Sequence, residues 1–155
     1  MPHPFLHQIT VTPDVLDANG HANNVAYVQW LQDAAIHHAR DTGCTQITSA
    51  LGATWVVRSH FIEYLAPAFS GDSITIHTWV SNIRKVRSLR KYQLVRSRDN
   101  LLIARAETDW VFVDAKTGRP RPIPAEIKNV FPVLLDPEHG TDAKGGRPGE
   151  RGNER

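Results

Sequence analysis

One stretch of this chain carries a long helical pattern, and nearly everything after it alternates like strand. From about Asn23 to Thr42, the residues Tyr27, Trp30, Leu31, Ala34, Ala35, His38 and Ala39 recur at spacings of three and four. Gln29, Gln32, Asp33, His37, Arg40 and Asp41 take much of the other side, and Gly43 is a natural stop. The alanines on the apolar side let a sheet approach closely, so this reads as a core helix. A helix with one apolar stripe must bury it against another layer, and the remaining segments offer strands.

Leu6 to Thr12 reads as a short first strand stopped by Pro13. Ala53 to Leu65 is rich in aromatic and β-branched residues and ends before Pro67. Asp72 to Val80 alternates, with Ile74, Ile76, Thr78 and Val80 on one face. Arg87 to Arg98 is a further strand, closed by the turn at Asp99-Asn100. Leu101 to Val113 follows, with Ala104, Ala106, Thr108, Trp110 and Phe112 on one face and Arg105, Glu107 and Asp109 on the other. Pro120, Pro122 and Pro124 exclude another interior strand, and Pro124 can open a short helix through Val130. The expected fold is α+β: one long central helix wrapped by a curved five-stranded antiparallel sheet, joined as a meander. Residues 1–135 form a single domain in this reading, and the Gly- and charge-rich residues 136–155 are expected to be a disordered tail.

Composition narrows the function. A net charge of +2 gives no overall field for nucleic acid. Cys44 is the single cysteine, which excludes an intrachain disulfide and a thiolate metal cluster. The N-terminus does not resemble a signal peptide, and no apolar run approaches the roughly 18 residues of a membrane span, so a cytoplasmic location is expected.

The chemistry points to Asp17-Ala18-Asn19-Gly20-His21-Ala22-Asn23-Asn24-Val25-Ala26-Tyr27. This sequence sets one carboxylate in a tight loop just before a helix start. The first turn of a helix presents unpaired N–H groups and a partial positive charge. Those groups can hold an oxyanion while the carboxylate attacks a carbonyl or activates water, which is the logic of acyl transfer. Asn23 and Asn24 are natural caps, compatible with leaving an N–H near Asn24 or Val25 for substrate.

Together with the element order, this loop resembles the hotdog-fold acyl-CoA thioesterases of the 4-hydroxybenzoyl-CoA thioesterase type. The carrying residues are Asp17-x-Asn19-Gly20-His21-x-Asn23-Asn24-x-x-Tyr27, then Tyr64-Leu65-x-Pro67-Ala68-x-x-x-Gly71-Asp72, then Trp110-Val111-Phe112-Val113-Asp114 with Thr117-Gly118-x-Pro120. The resemblance covers roughly Leu6 to Phe131. It implies that Asp17 is catalytic and that a backbone N–H near Asn24 or Val25 polarises the thioester carbonyl. It also implies a site between two subunits, hence a homodimer or homotetramer, with no cofactor beyond the CoA of the substrate. Many members carry a second acid two residues earlier, where this chain has Val15.

Other residues have competing readings. His21 serves either as a proton donor or as a backbone-bonding loop histidine, and Tyr27 either as a ligand contact or as core. Asp33, mid-helix, is a reserve candidate for the acid. His37 and His38 point about 100° apart on the helix, poor geometry for joint metal binding, so no metal is assigned. The basic run Arg84-Lys85-Val86-Arg87-Ser88-Leu89-Arg90-Lys91 reads either as a charge-guarded edge strand or as a phosphate contact. On the second reading Arg87, Ser88, Arg90 and Lys91 meet the phosphates of CoA or of a carrier protein's prosthetic group. Two other functions compete. One is an enoyl-thioester hydratase, whose D-x-N-P-x-H signature Asp17-x-Asn19-x-His21 matches only with a residue and the proline missing. The other is a non-catalytic acyl-CoA-binding protein.

Overall fold

The computed structural model describes residues 3–136; the expected tail from 137 onward lies outside them. The central helix, α1, spans Asn24–Asp41, and its N-cap is Asn23, whose side-chain oxygen accepts from the Ala26 N–H at 2.8 Å. Ala26, Tyr27, Trp30, Leu31, Ala34 and Ala35 form its buried stripe, matching the spacing of the sequence pattern. Five strands surround it: β1 (Phe5–Thr10), β2 (Ala53–Tyr64), β3 (Ser73–Ile83), β4 (Arg87–Arg96) and β5 (Leu101–Asp114). They form one antiparallel sheet in the order β1-β3-β4-β5-β2.

Two features depart from the sequence reading. A second helix, α2 (Cys44–Ala50), follows α1 directly. Gly43, at φ +85°, does end α1, but its left-handed conformation also turns the chain straight into α2. The second departure is topological. Only β3, β4 and β5 make a meander; β2 pairs with β5 from Ala53↔Asp114 to Tyr64↔Ala104 and lies on the far edge from β1. Residues 65–72 therefore cross from one side of the sheet to the other. They pass against the start of α1, where the Ala22 N–H donates to the Ala68 carbonyl at 2.8 Å.

This order overturns the edge-strand reading of the basic run, because β4 sits in the middle of the sheet with neighbours on both sides. Charge there cannot be guarding an open edge. Alternation splits the run instead: Ser88 and Arg90 point into the buried face, while Arg87 and Lys91 stay on the outer one.

The interior has two clusters. Tyr27, Leu31, Ile74, Ile76, Tyr92, Leu94 and Ile103 pack around the first half of α1. Cys44, Val80, Phe112, Ile123, Ile127 and Phe131 pack around α2 and a short terminal helix, α3 (Ala125–Val130). Pro124 caps α3, so the proline that forbids a strand does open a helix there.

Candidate active site

The loop before α1 is held by its own acid. Asp17 Oδ1 accepts from the N–H of Asn19 at 2.9 Å and from that of His21 at 3.0 Å. The backbone closes the same turn, with the Asp17 N–H donating to His21 O at 2.7 Å and the Gly20 N–H to Asp17 O at 3.0 Å. Gly20 stands at φ +74°, a conformation that costs a residue with a Cβ about 1–2 kcal/mol. The loop is anchored on both sides: the Asn23 N–H donates to Val15 O at 2.8 Å, and His21 bridges to Phe69 on the crossing segment. Asp17 itself is exposed, and its second oxygen, Oδ2, has no partner among the described residues.

Beside it, α1 begins with two uncommitted donors. The Asn23 side chain satisfies only the N–H of Ala26. Among the described residues the N–H groups of Asn24 and Val25 meet no acceptor. The Val25 side chain is 77% exposed, so this turn faces outward. The Asn24 carbonyl accepts from Tyr64 Oη at 2.9 Å, which ties the end of β2 to the helix start. The structure thus brings Asp17, His21, Asn23, Asn24 and Val25 together within one loop and turn. That turn carries the partial positive charge of a helix start, and the Asp17 carboxyl lies in the loop leading into it.

The aromatic and helical candidates have partners of their own. Tyr27 is buried between Trp30 and Tyr64, with ring centroids 4.8 and 5.0 Å away, and burial pushes its hydroxyl up to about pKa 12. It packs the core under the helix start. The His21 ring stands edge-on to Phe69 at 5.2 Å. Asp33 accepts from Gln29 one turn earlier, in the polar half of α1. The adjacent histidines are drawn apart: His37 stacks on His7 at 4.6 Å, and His38 on Phe5 at 4.7 Å.

The basic run does not act as one cluster. Arg87 forms a two-pronged pair with Asp109, and Lys91 binds Asp136 at 2.6 Å and Glu107 at 3.7 Å. Arg84 and Lys85, in the turn between β3 and β4, are exposed and unpaired among the described residues. Arg90 is buried on the opposite face, 4% exposed. Sequence reasoning overlooked what surrounds it: a cavity of about 540 Å³ between α1, α2 and the sheet. The parity of Ser88, Arg90, Tyr92 and Leu94 was the available signal, since it groups an arginine with core residues.

A single long helix clasped by a five-stranded antiparallel sheet is the hotdog fold. A crystal structure of a 1,4-dihydroxy-2-naphthoyl-CoA thioesterase from Synechocystis superposes with a TM-score of 0.73 at 19% identity, covering 81% of this chain and 93% of that one. YbaW, a probable thioesterase from Escherichia coli, gives a TM-score of 0.75 at 23% identity over 81% and 94% of the two chains. At such identities these matches speak for the fold alone. In sequence, the acyl-CoA thioester hydrolase YbgC of Escherichia coli O6:H1 is 32% identical over 130 residues, 82% of this chain and 95% of that protein. Oleoyl-acyl carrier protein thioesterase 2 of Arabidopsis thaliana is 28% identical over 116 residues, 70% of this chain but only 31% of the plant protein. Residues 11–131 match the model of the thioesterase-like superfamily. The chain belongs to that superfamily, and with it to the thioester hydrolases.

Proposed function

We propose that this protein hydrolyses acyl-CoA or acyl-carrier-protein thioesters to the free acid and the thiol, with Asp17 as the reacting carboxylate. The observation that carries the reading is the division of labour at the loop. Asp17 Oδ1 is spent on two backbone donors, while Oδ2 and the N–H groups of Asn24 and Val25 are unpaired among the described residues. Any helix start leaves such donors; what this loop adds is a carboxylate in the tight turn before them with one oxygen uncommitted among the described residues.

A thioester carbonyl seated on those N–H groups gains charge as it becomes tetrahedral, and donors fixed in advance stabilise that charge without reorganising. Two routes are chemically balanced. In the first, Oδ2 attacks the carbonyl carbon, the C–S bond breaks to release thiolate, and water then cleaves the mixed anhydride. In the second, the carboxylate takes a proton from water as hydroxide adds to the carbon. Collapse of the tetrahedral intermediate then expels the thiolate, which recovers the proton. Single-turnover hydrolysis in heavy-oxygen water separates them: label found first in Asp17 belongs to the anhydride route alone.

We further read the working unit as a homodimer or larger homo-oligomer in the cytoplasm. β2 is an open edge twelve residues long, with Val56, Phe61, Tyr64 and Leu65 exposed along and just beyond it. A strand of that length with one side unpaired among the described residues invites pairing with a second copy. Arg84 and Lys85 have no acid partner among the described residues, so their charges are freer for phosphate contact than those of the acid-bound Arg87 and Lys91.

The test is thiol release across a panel of aliphatic and aromatic acyl-CoAs, with crotonyl-CoA included. Release from at least one member is expected, with no loss of enoyl absorbance that precedes it. A flat response across CoA and carrier-protein thioesters alike defeats the reading.

A further inference from the structure

The cavity behind α1 is lined by a cation that has no counter-ion among the described residues. Its walls come from Ala35 and Ala39 of α1, Cys44 and Thr48 of α2, Trp55 of β2, Phe131 and Arg90. Arg90 Nη1 donates to His38 Nδ1 at 2.9 Å and to Thr78 Oγ1 at 3.1 Å. The guanidinium carbon lies 5.4 Å from the centroid of the Phe131 ring. Every one of these partners is neutral. Burial and the neighbouring Arg90 charge pull His38 down to about pKa 3, so its imidazole accepts as an uncharged ring. Burial likewise raises Cys44, keeping it a thiol. Nε and Nη2 of Arg90 have no partner among the described residues. The residues lining the cavity include a second arginine, Arg40, and neither aspartate nor glutamate.

Arginine keeps its proton in protein interiors, and a buried charge is ordinarily paired. The other arginines of the sheet follow that rule, Arg87 with Asp109, Arg96 with Asp99 and Arg105 with Glu63. Arg90 is the exception, and it is the one that faces an open volume. At about 540 Å³ the cavity matches the size of small-molecule sites, and most of its wall is apolar.

We propose that this cavity binds a carboxylate carried on an apolar body, with the idle edge of the Arg90 guanidinium as its counter-ion. Planar, two-pronged geometry favours carboxylate over a spherical anion. The ligand is either the far end of an ω-carboxylated acyl thioester or a free carboxylic acid. Only the first source rests on the hydrolase reading above.

The experiment is calorimetric binding of octanoic acid against octanamide, its neutral near-isostere, to the intact protein and to the variants Arg90→Met and Arg90→Lys. The acid is expected to bind at least tenfold more tightly than the amide to wild type. Arg90→Met should abolish that preference and Arg90→Lys should retain part of it. Arg90→Met removes a buried charge together with the donor to His38 Nδ1, so melting curves accompany the binding data and show that loss of preference is read on a folded protein. Equal binding of acid and amide to wild type, or a preference that survives Arg90→Met, overturns the proposal. Thiol release then assigns the source. Val25 and His38 stand thirteen residues apart on α1, about 20 Å, so the matching chain has about sixteen carbons: faster hydrolysis of hexadecanedioyl-CoA than of palmitoyl-CoA supports the thioester, and acid binding with no such difference supports a free acid. Since the binding arm needs no hydrolysis, its result stands whether or not the protein cleaves thioesters.

Discussion

Asn23 is where fold and chemistry can be separated by a small change. Its Oδ1 accepts from the Ala26 N–H at 2.8 Å, and Ala26 is part of the buried stripe of α1. Asn23→Ala removes the side-chain acceptor and leaves that N–H only the Asn23 backbone carbonyl at 3.1 Å, a loss worth about 1 kcal/mol. For a domain near this size that is a drop in Tm of about 2–4 °C, and differential scanning calorimetry resolves it. The same substitution loosens the turn that presents the Asn24 and Val25 N–H groups, so kcat should fall more than KM rises. Asn23→Asp is the complementary probe. It keeps the cap and places negative charge at the helix start, which holds stability at or above wild type. That charge sits where the oxyanion would form, so kcat should still fall, by about tenfold or more. Stability and rate therefore move together in one variant and apart in the other. Asn23→Asp with unchanged kcat would refute the placement of the oxyanion at this turn.

His38 gives a pH signature. Its folded pKa of about 3 lies below the ordinary 6.5, so the native state disfavours its proton. The stability this contributes is present above 6.5 and is lost as pH falls toward 3. Thermal melts of wild type should fall more steeply between pH 7 and about pH 4.5 than those of His38→Asn, whose amide oxygen can still accept from Arg90. Parallel curves would mean that folding does not shift the His38 pKa, against its burial in the structure. At the β2 edge, Phe61 is 57% exposed. Phe61→Lys should weaken self-association and lower activity with it, and light scattering against the 17.4 kDa chain mass reads the change.

Much of the architecture was legible because it rests on periodicity. The spacing from Tyr27 to Ala39 located α1 to within a residue at each end, and the alternation of β5 placed Ala104 through Phe112 on the inner face. What periodicity lacks is partners. The alternation of β2 says that it is a strand but not that it pairs with β5 rather than β3. α2 was invisible for a different reason. Cys44-Thr45-Gln46-Ile47-Thr48-Ser49-Ala50 contains several poor helix formers, and docking holds it: Trp55 Nε1 donates to Thr48 Oγ1 at 3.2 Å. At the site, the loop, the cap and the free helix start followed from local sequence. Arg90 did not, since a run of like charge reads as surface until the strand's position in the sheet is known.

The account depends on the Asp17 charge, as distinct from its role in holding the loop. Asp17→Asn retains an oxygen for the Asn19 and His21 donors and loses only the charge. Asp17→Ala loses both. The decisive measurement is kcat of the two variants on the best acyl-CoA of the panel, with melting temperatures taken alongside. Asp17→Asn should melt like wild type and lose about a hundredfold or more in kcat, while Asp17→Ala loses as much rate and some stability as well. An Asp17→Asn enzyme that turns over like wild type would contradict the account.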